Sequence, residues 1–184
     1  MTKFAQLTLV VVLCLSALPV ALAQDLPSPL ARVAKALECA RQESTSGWKV
    51  ERVKPIAGSE NVLIEIYVSA GRRAKVSIIY NRSEAEAIVK MKRGAAGNSA
   101  KAIQELGDGA YSWGYSEAIA FRKGNLTVYV SAVSDIDSLL PALGDTERTN
   151  LRRIEEIAIN KSFARSVASF LSNLDKACQT MERG

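Results

Sequence analysis

Histidine is missing altogether from the 184-residue chain. Its absence removes serine–histidine and cysteine–histidine nucleophilic sites, histidine zinc centres and a histidine general base. Catalysis, if any, is left to carboxylate pairs or a serine–lysine arrangement. Cysteine is scarce, with only Cys14, Cys39 and Cys178. Aromatic residues make up 6% of the chain, and none interleaves the scattered arginines and lysines, so a nucleic-acid interface is not expected. A phosphate-cradling loop is also absent, because Gly107-Asp108-Gly109 lacks both the spacing and the following lysine. There is no low-complexity tract.

The N-terminus carries the clearest positive signal. Lys3 precedes an uncharged apolar run from Leu7 to Leu18, Pro19 breaks it, and Ala21-Leu22-Ala23 forms a small-x-small cleavage site before Gln24. The run is shorter than the roughly 20 residues a bilayer requires. Cys14 follows Leu13, where a lipid-anchoring signal needs a small residue. These features predict a signal peptide over 1–23 and an exported chain, periplasmic or secreted. No transmembrane segment is then expected after cleavage, and 24–184 is expected to form a single α+β domain. The formal net charge of +5 falls by one with loss of Lys3. A mildly basic surface suits weak contact with anionic polymers or simple solubility. An even number of mature cysteines in an oxidising compartment predicts a Cys39–Cys178 disulfide, for which the chain-entropy model gives about 5 kcal/mol.

Along the chain, Ser28-Pro29 reads as a helix start, with Leu30, Val33, Ala34 and Leu37 at helical spacing to about Gln42. Trp48 and Val50 begin a short strand that Pro55 ends. Residues 61–69 and 73–81 alternate as a hairpin. Pairing Val68 with Ala74 and Ile64 with Ile78 joins two apolar faces around an Ala70-Gly71-Arg72 loop. Ser83 and Glu86 form a capping box that opens a helix through Arg93, with Gly94 and Gly97 as stops. A second hairpin, 117–123 with 126–133, turns at Gly124-Asn125 and pairs Phe121 with Val128 and Ile119 with Val130. A short helix is expected around Leu151, Ile154 and Ala158. Asn160 then interrupts the stripe before a last helix through Phe163, Val167, Phe170, Leu171, Leu174, Cys178 and Met181. The expected class is α+β: an antiparallel sheet of two hairpins plus a short strand, covered on one face by N-terminal, middle and C-terminal helices. The order hairpin–helix, hairpin–helix hints at duplicated halves.

Tyr111, Trp113 and Tyr115 are the candidate binding residues. On a strand they share one face and, if exposed, could stack on sugar rings or grip an apolar ligand. Their odd-numbered phase continues through Ile119 and Phe121, which places them in the core instead. Asp135 and Asp137 flank Ile136. However, Leu140 and Thr146 stand where a calcium loop requires glycine and glutamate, so no metal site is assigned. Asn81, Asn125 and Asn160 match the glycosylation pattern, but each also has a local role as cap, turn or helix boundary.

The stretch Leu106-Gly107-Asp108-Gly109-Ala110-Tyr111, with Phe121-Arg122-Lys123-Gly124-Asn125 and Val128-Tyr129-Val130, resembles a pattern of small bacterial exported domains of uncharacterised function. The resemblance implies an envelope or secreted location and an α+β sheet, and it transfers no catalytic residue. The reading that follows is a non-enzymatic exported domain without cofactor, binding a protein partner, an apolar ligand or a glycan on its sheet. The alternative is a carboxylate-dependent envelope hydrolase acting on glycan, using some of Asp108, Glu117, Asp135 and Asp137.

Overall fold

A computed structural model describes residues 29–34, 37, 47–53 and 58–174. Cys39, Cys178 and residues 1–23, for which a signal peptide is expected, lie outside the described residues. The strands are β1 (Lys49–Val53), β2 (Val62–Ser69), β3 (Arg72–Tyr80), β4 (Lys101–Ile103), β5 (Ala110–Trp113), β6 (Ala118–Lys123) and β7 (Leu126–Ser134). The helices are α1 (Glu84–Gly97), α2 (Ile136–Leu139) and α3 (Asp145–Ser172). All seven strands form one antiparallel sheet in the order β1-β2-β3-β7-β6-β5-β4. The protein is α+β, as its sequence suggests, but two meanders that meet at β3 and β7 replace the expected two hairpins and a strand. β5 holds two of the three aromatics whose alternation suggests a strand, whereas the three-residue β4 has no sequence signal of its own.

One face of the sheet carries the main core. Leu63 and Tyr67 of β2, Ala74, Val76 and Ile78 of β3, Val128 and Val130 of β7, and Ile119 and Phe121 of β6 are all buried there. They pack against Leu30, Val33, Ala34 and Leu37 of the N-terminal helical segment and against Ile159, Ala164, Val167, Phe170 and Leu171 of α3. Phe163 adds edge contacts to Tyr67 at 4.8 Å and Trp48 at 5.2 Å between ring centroids. The apolar stripe predicted for the N-terminal segment is therefore core.

The middle helix does not join that layer. Met91 and Ala95 of α1 lie over Tyr111, Trp113, Ala120 and Tyr129, on the opposite face of β5–β7. The helices thus cover both faces, not one. This arrangement also rules against the suggested duplication. A two-fold relating antiparallel β3 and β7 runs perpendicular to the sheet and would put both following helices on the same side.

The second hairpin has the expected register, Phe121 with Val128 and Ile119 with Val130, and Gly124 turns at φ +57. The first hairpin does not. Val68 pairs with Arg73 and Tyr67 with Ala74 around a two-residue Ala70-Gly71 turn, with Gly71 at φ +64. The core face of β2 is Leu63, Glu65 and Tyr67, and Val62, Ile64, Ile66 and Val68 lie half-exposed on the outer face. That face carries Glu65, which is only 1% exposed and whose burial is accommodated by its partners. Its carboxylate accepts from Arg52 Nη2 at 3.0 Å and from Tyr67 Oη at 2.8 Å, and Arg52 also donates to the Ala34 carbonyl. A paired charge can be buried where a lone one cannot.

Both helix expectations need amendment. Ser83 caps α1, accepting from Glu86 N at 3.1 Å, while the Glu86 carboxylate reaches back to Arg82 N. The helix nevertheless runs through Gly94 and Gly97 and ends at Asn98. α3 is continuous across Asn160. Its first half turns Glu156, Ile159 and Asn160 inward and leaves Leu151, Ile154 and Ala158 exposed, the reverse of the expected stripe.

Candidate functional site

The tightest polar construction lies where β6 turns into β7. Asp108 accepts from Gly124 N at 2.7 Å and faces Lys123 Nζ at 3.3 Å, and the Gly124 amide holds its carboxyl below the usual carboxylate range. Asp108 N donates to Arg122 O at 2.7 Å, and Arg122 N donates to Gly109 O. Gly107, at φ +59, passes so close that a Cβ there would lie 2.3 Å from Arg122 O. Asn81, fully buried, closes the same end by donating to Asn125 O at 2.9 Å and Thr127 Oγ1 at 3.0 Å. The Leu106–Tyr111 and Phe121–Asn125 stretches that carry the family resemblance are therefore one structural clasp. Asp108 and the backbone groups named here are occupied internally, whereas the buried Asn81 Oδ1 is without a partner among the described residues.

The opposite end of β6 is built differently. The turn Gly114–Glu117 is held from above by α3. Ser116 Oγ donates to the buried Glu156 carboxylate, and Glu156 also accepts from Ser134 N at 3.0 Å. Asn160, fully buried, donates to Ser116 O at 2.8 Å, and its own Oδ1 is without a partner among the described residues. Beside this turn a cleft follows the sheet edge at β4. It comprises two adjoining recesses of about 300 and 260 Å³ that share Ser112 and Glu117. Cations line both: Lys161 and Arg165 in the first, Lys101 and Arg153 in the second. The two carboxylates there are Glu105 and Glu117, and Glu117 pairs with Lys161 at 3.1 Å.

Backbone strain converges on the same place. Ser99 (φ 50), Glu105 (φ 63) and Glu117 (φ 48) are the non-glycine residues with left-handed backbone among those described, and all three line the cleft. Such conformations cost about 1–3 kcal/mol each and persist where surrounding structure enforces them. For Glu117 the enforcing groups are Asn160 and the Lys161 ion pair.

The aromatic candidates are separated. Tyr111 and Trp113 pair across to Ala120 and Ala118, so they share the outer face with Tyr129, not the core face with Ile119 and Phe121. The four-residue turn after Trp113 inverts the parity that the sequence phase assumed. Under α1 these rings enclose only about 40 Å³, too little for a sugar. Trp113 also reaches the cleft, as does Tyr115, which is 59% exposed with Arg153 Cζ 5.2 Å from its ring centre.

The carboxylates of the alternative reading do not gather. Asp108 and Asp135 lie at opposite ends of β7, and Asp135 is not in an extended loop but caps α2, accepting from Ser138 N. Of Asp108, Glu117 and Asp135, Glu117 lines the cleft, and the Asp137 side chain lies outside those described. Among the described residues no three metal-ligating side chains cluster, and no helix is long and apolar enough to cross a membrane. Asn81 and Asn160 are buried and hydrogen-bonded, which closes both to glycosylation. Lys161 and Arg165 carry no signal in the sequence beyond their i,i+4 spacing, and they join the site only because α3 lies beside the β4 edge of the cleft. The chain matches no known family profile, no curated protein and no solved structure.

Proposed function

We propose that the protein is a non-enzymatic exported domain, periplasmic or secreted, that holds an acidic glycan in the cleft along β4. One observation carries the reading: the three strained non-glycine residues line a single cleft whose charged groups are four cations and two carboxylates. The recesses lie at the lower bound of ligand-site volumes, roughly 300 Å³. Lys101, Arg153 and Arg165 would meet ligand carboxylates, and the exposed ring of Tyr115 offers a stacking surface for a sugar. Calorimetric titration with a short oligouronate, against a neutral oligosaccharide of equal length, tests this. Binding of the oligouronate alone, weakened about tenfold by Arg153→Glu, is the expected result. Equal binding of both sugars, or none, would refute it.

A second reading has one observation in its favour, since Glu105 and Glu117 open onto the same recess. A paired-carboxylate hydrolase of the same glycan would cleave it and lose that activity in Glu105→Gln. Intact oligouronate after prolonged incubation removes this reading and leaves the binding one.

A further inference from the structure

We propose that the exposed stripe of α3 is a homodimer interface, on which two copies of the helix pack antiparallel about a two-fold axis. Ile154 is 63% exposed and Leu151 39%, on a helix whose opposite side already seats in the core. Ala158, Glu147 and Arg165 are also exposed on this side. Residues 18 apart on an α-helix fall on the same line, because this spacing is five full turns, or about 27 Å. Glu147 and Arg165 have that spacing, and neither has an ion-pair partner among the described residues.

The charge pattern is self-complementary. An antiparallel pair with its axis at the level of residue 156 sets Glu147 of one copy against Arg165 of the other, twice by symmetry. The same register puts Ile154 opposite Ala158, whose small side chain permits close approach of the helices, and Leu151 opposite the aliphatic stem of Lys161. The apolar centre and charged ends are thus in phase without adjustment. A lipid surface would favour cations on both ends of the stripe, whereas here one end is acidic. A single helix pair buries less than the standard interface of about 1,600 Å², so the dimer is expected to dissociate on dilution. Arg165 also lines the cleft. The second copy therefore brings a glutamate to the cleft rim, where it would compete with an anionic ligand. The dimer itself does not depend on the ligand reading.

Sedimentation velocity over a concentration series reaching the millimolar range tests the proposal. A concentration-dependent dimer is expected, with dissociation raised about tenfold by Ile154→Asp and likewise by Glu147→Arg or Arg165→Glu alone. The double reversal Glu147→Arg with Arg165→Glu should restore the dimer, which no general loss of folding would do. A wild-type monomer throughout, or a double reversal as weak as the single ones, would overturn the interface. So would a dimer indifferent to Ile154→Asp.

Discussion

The two ends of β6 are held by opposite means. At the β7 end, Gly107, Asp108, Gly124 and Asn81 form a clasp in which the left-handed turns at Gly107 and Gly124 fall on glycine. Asp108 is held there by the Gly124 amide and Lys123, with Asn81 Oδ1 left without a partner among the described residues. At the β5 end, left-handed backbone falls on Glu117, and a helix is needed to hold the turn through Glu156 and Asn160. The strained end faces a cleft lined by cations. Strain on non-glycine residues that line one cleft is the difference on which the proposed binding reading rests.

Four substitutions probe this contrast. Gly107→Ala should have the largest effect, about 3 kcal/mol of lost stability in denaturant unfolding, because the added Cβ meets backbone and no side chain can yield. A loss below that of an ordinary surface change would mean the clasp is loose. Gly124→Val should cost about 1 kcal/mol or more, since φ +57 disfavours a β-branched residue although the surrounding space is open. Unchanged stability would show that the turn tolerates another form. Glu117→Gly should act in the opposite direction, raising stability by up to about 1 kcal/mol through relief of strain while strengthening oligouronate binding by freeing Lys161. A destabilised variant with unaltered binding would erase the distinction between the ends.

The smallest effect concerns pH. Because the folded-state pKa of Asp108 is depressed, its contribution is fully present above the ordinary value of 3.8 and is lost as pH falls through the lower folded value. The stability gap between wild type and Asp108→Asn should therefore be constant near neutrality and shrink on acidification. A gap that does not change with pH would remove the Gly124 hydrogen bond from the account.

Legibility in the sequence followed the same division. The β6–β7 hairpin could be read because turn chemistry and hydrophobic phase agree at Gly124-Asn125. β2 could not, because both of its faces are apolar and the face that enters the core contains Glu65, whose partners Arg52 and Tyr67 are visible only in three dimensions. Parity across Gly114–Glu117 depends on turn length, so Tyr111 and Trp113 fell on the unexpected face. α3 was divided at Asn160 since a buried asparagine looks like an interruption until the carbonyls it holds, those of Ser116 and Glu117, are in view. At β2 and at Asn160 the missing information is a polar group satisfied by a distant segment. The cleft draws its lining from β4, the turn after β5 and α3, so only Trp113, Tyr115 and Glu117 of it stand out as candidates in the sequence.

Amide chemical-shift mapping during titration with the oligouronate tests the central claim most directly. The account predicts saturable shifts at Lys101, Ser112, Glu117 and Lys161, with Asn81, Gly124 and Asn125 unmoved. Shifts confined to the clasp, or to the outer face of β2, would contradict it.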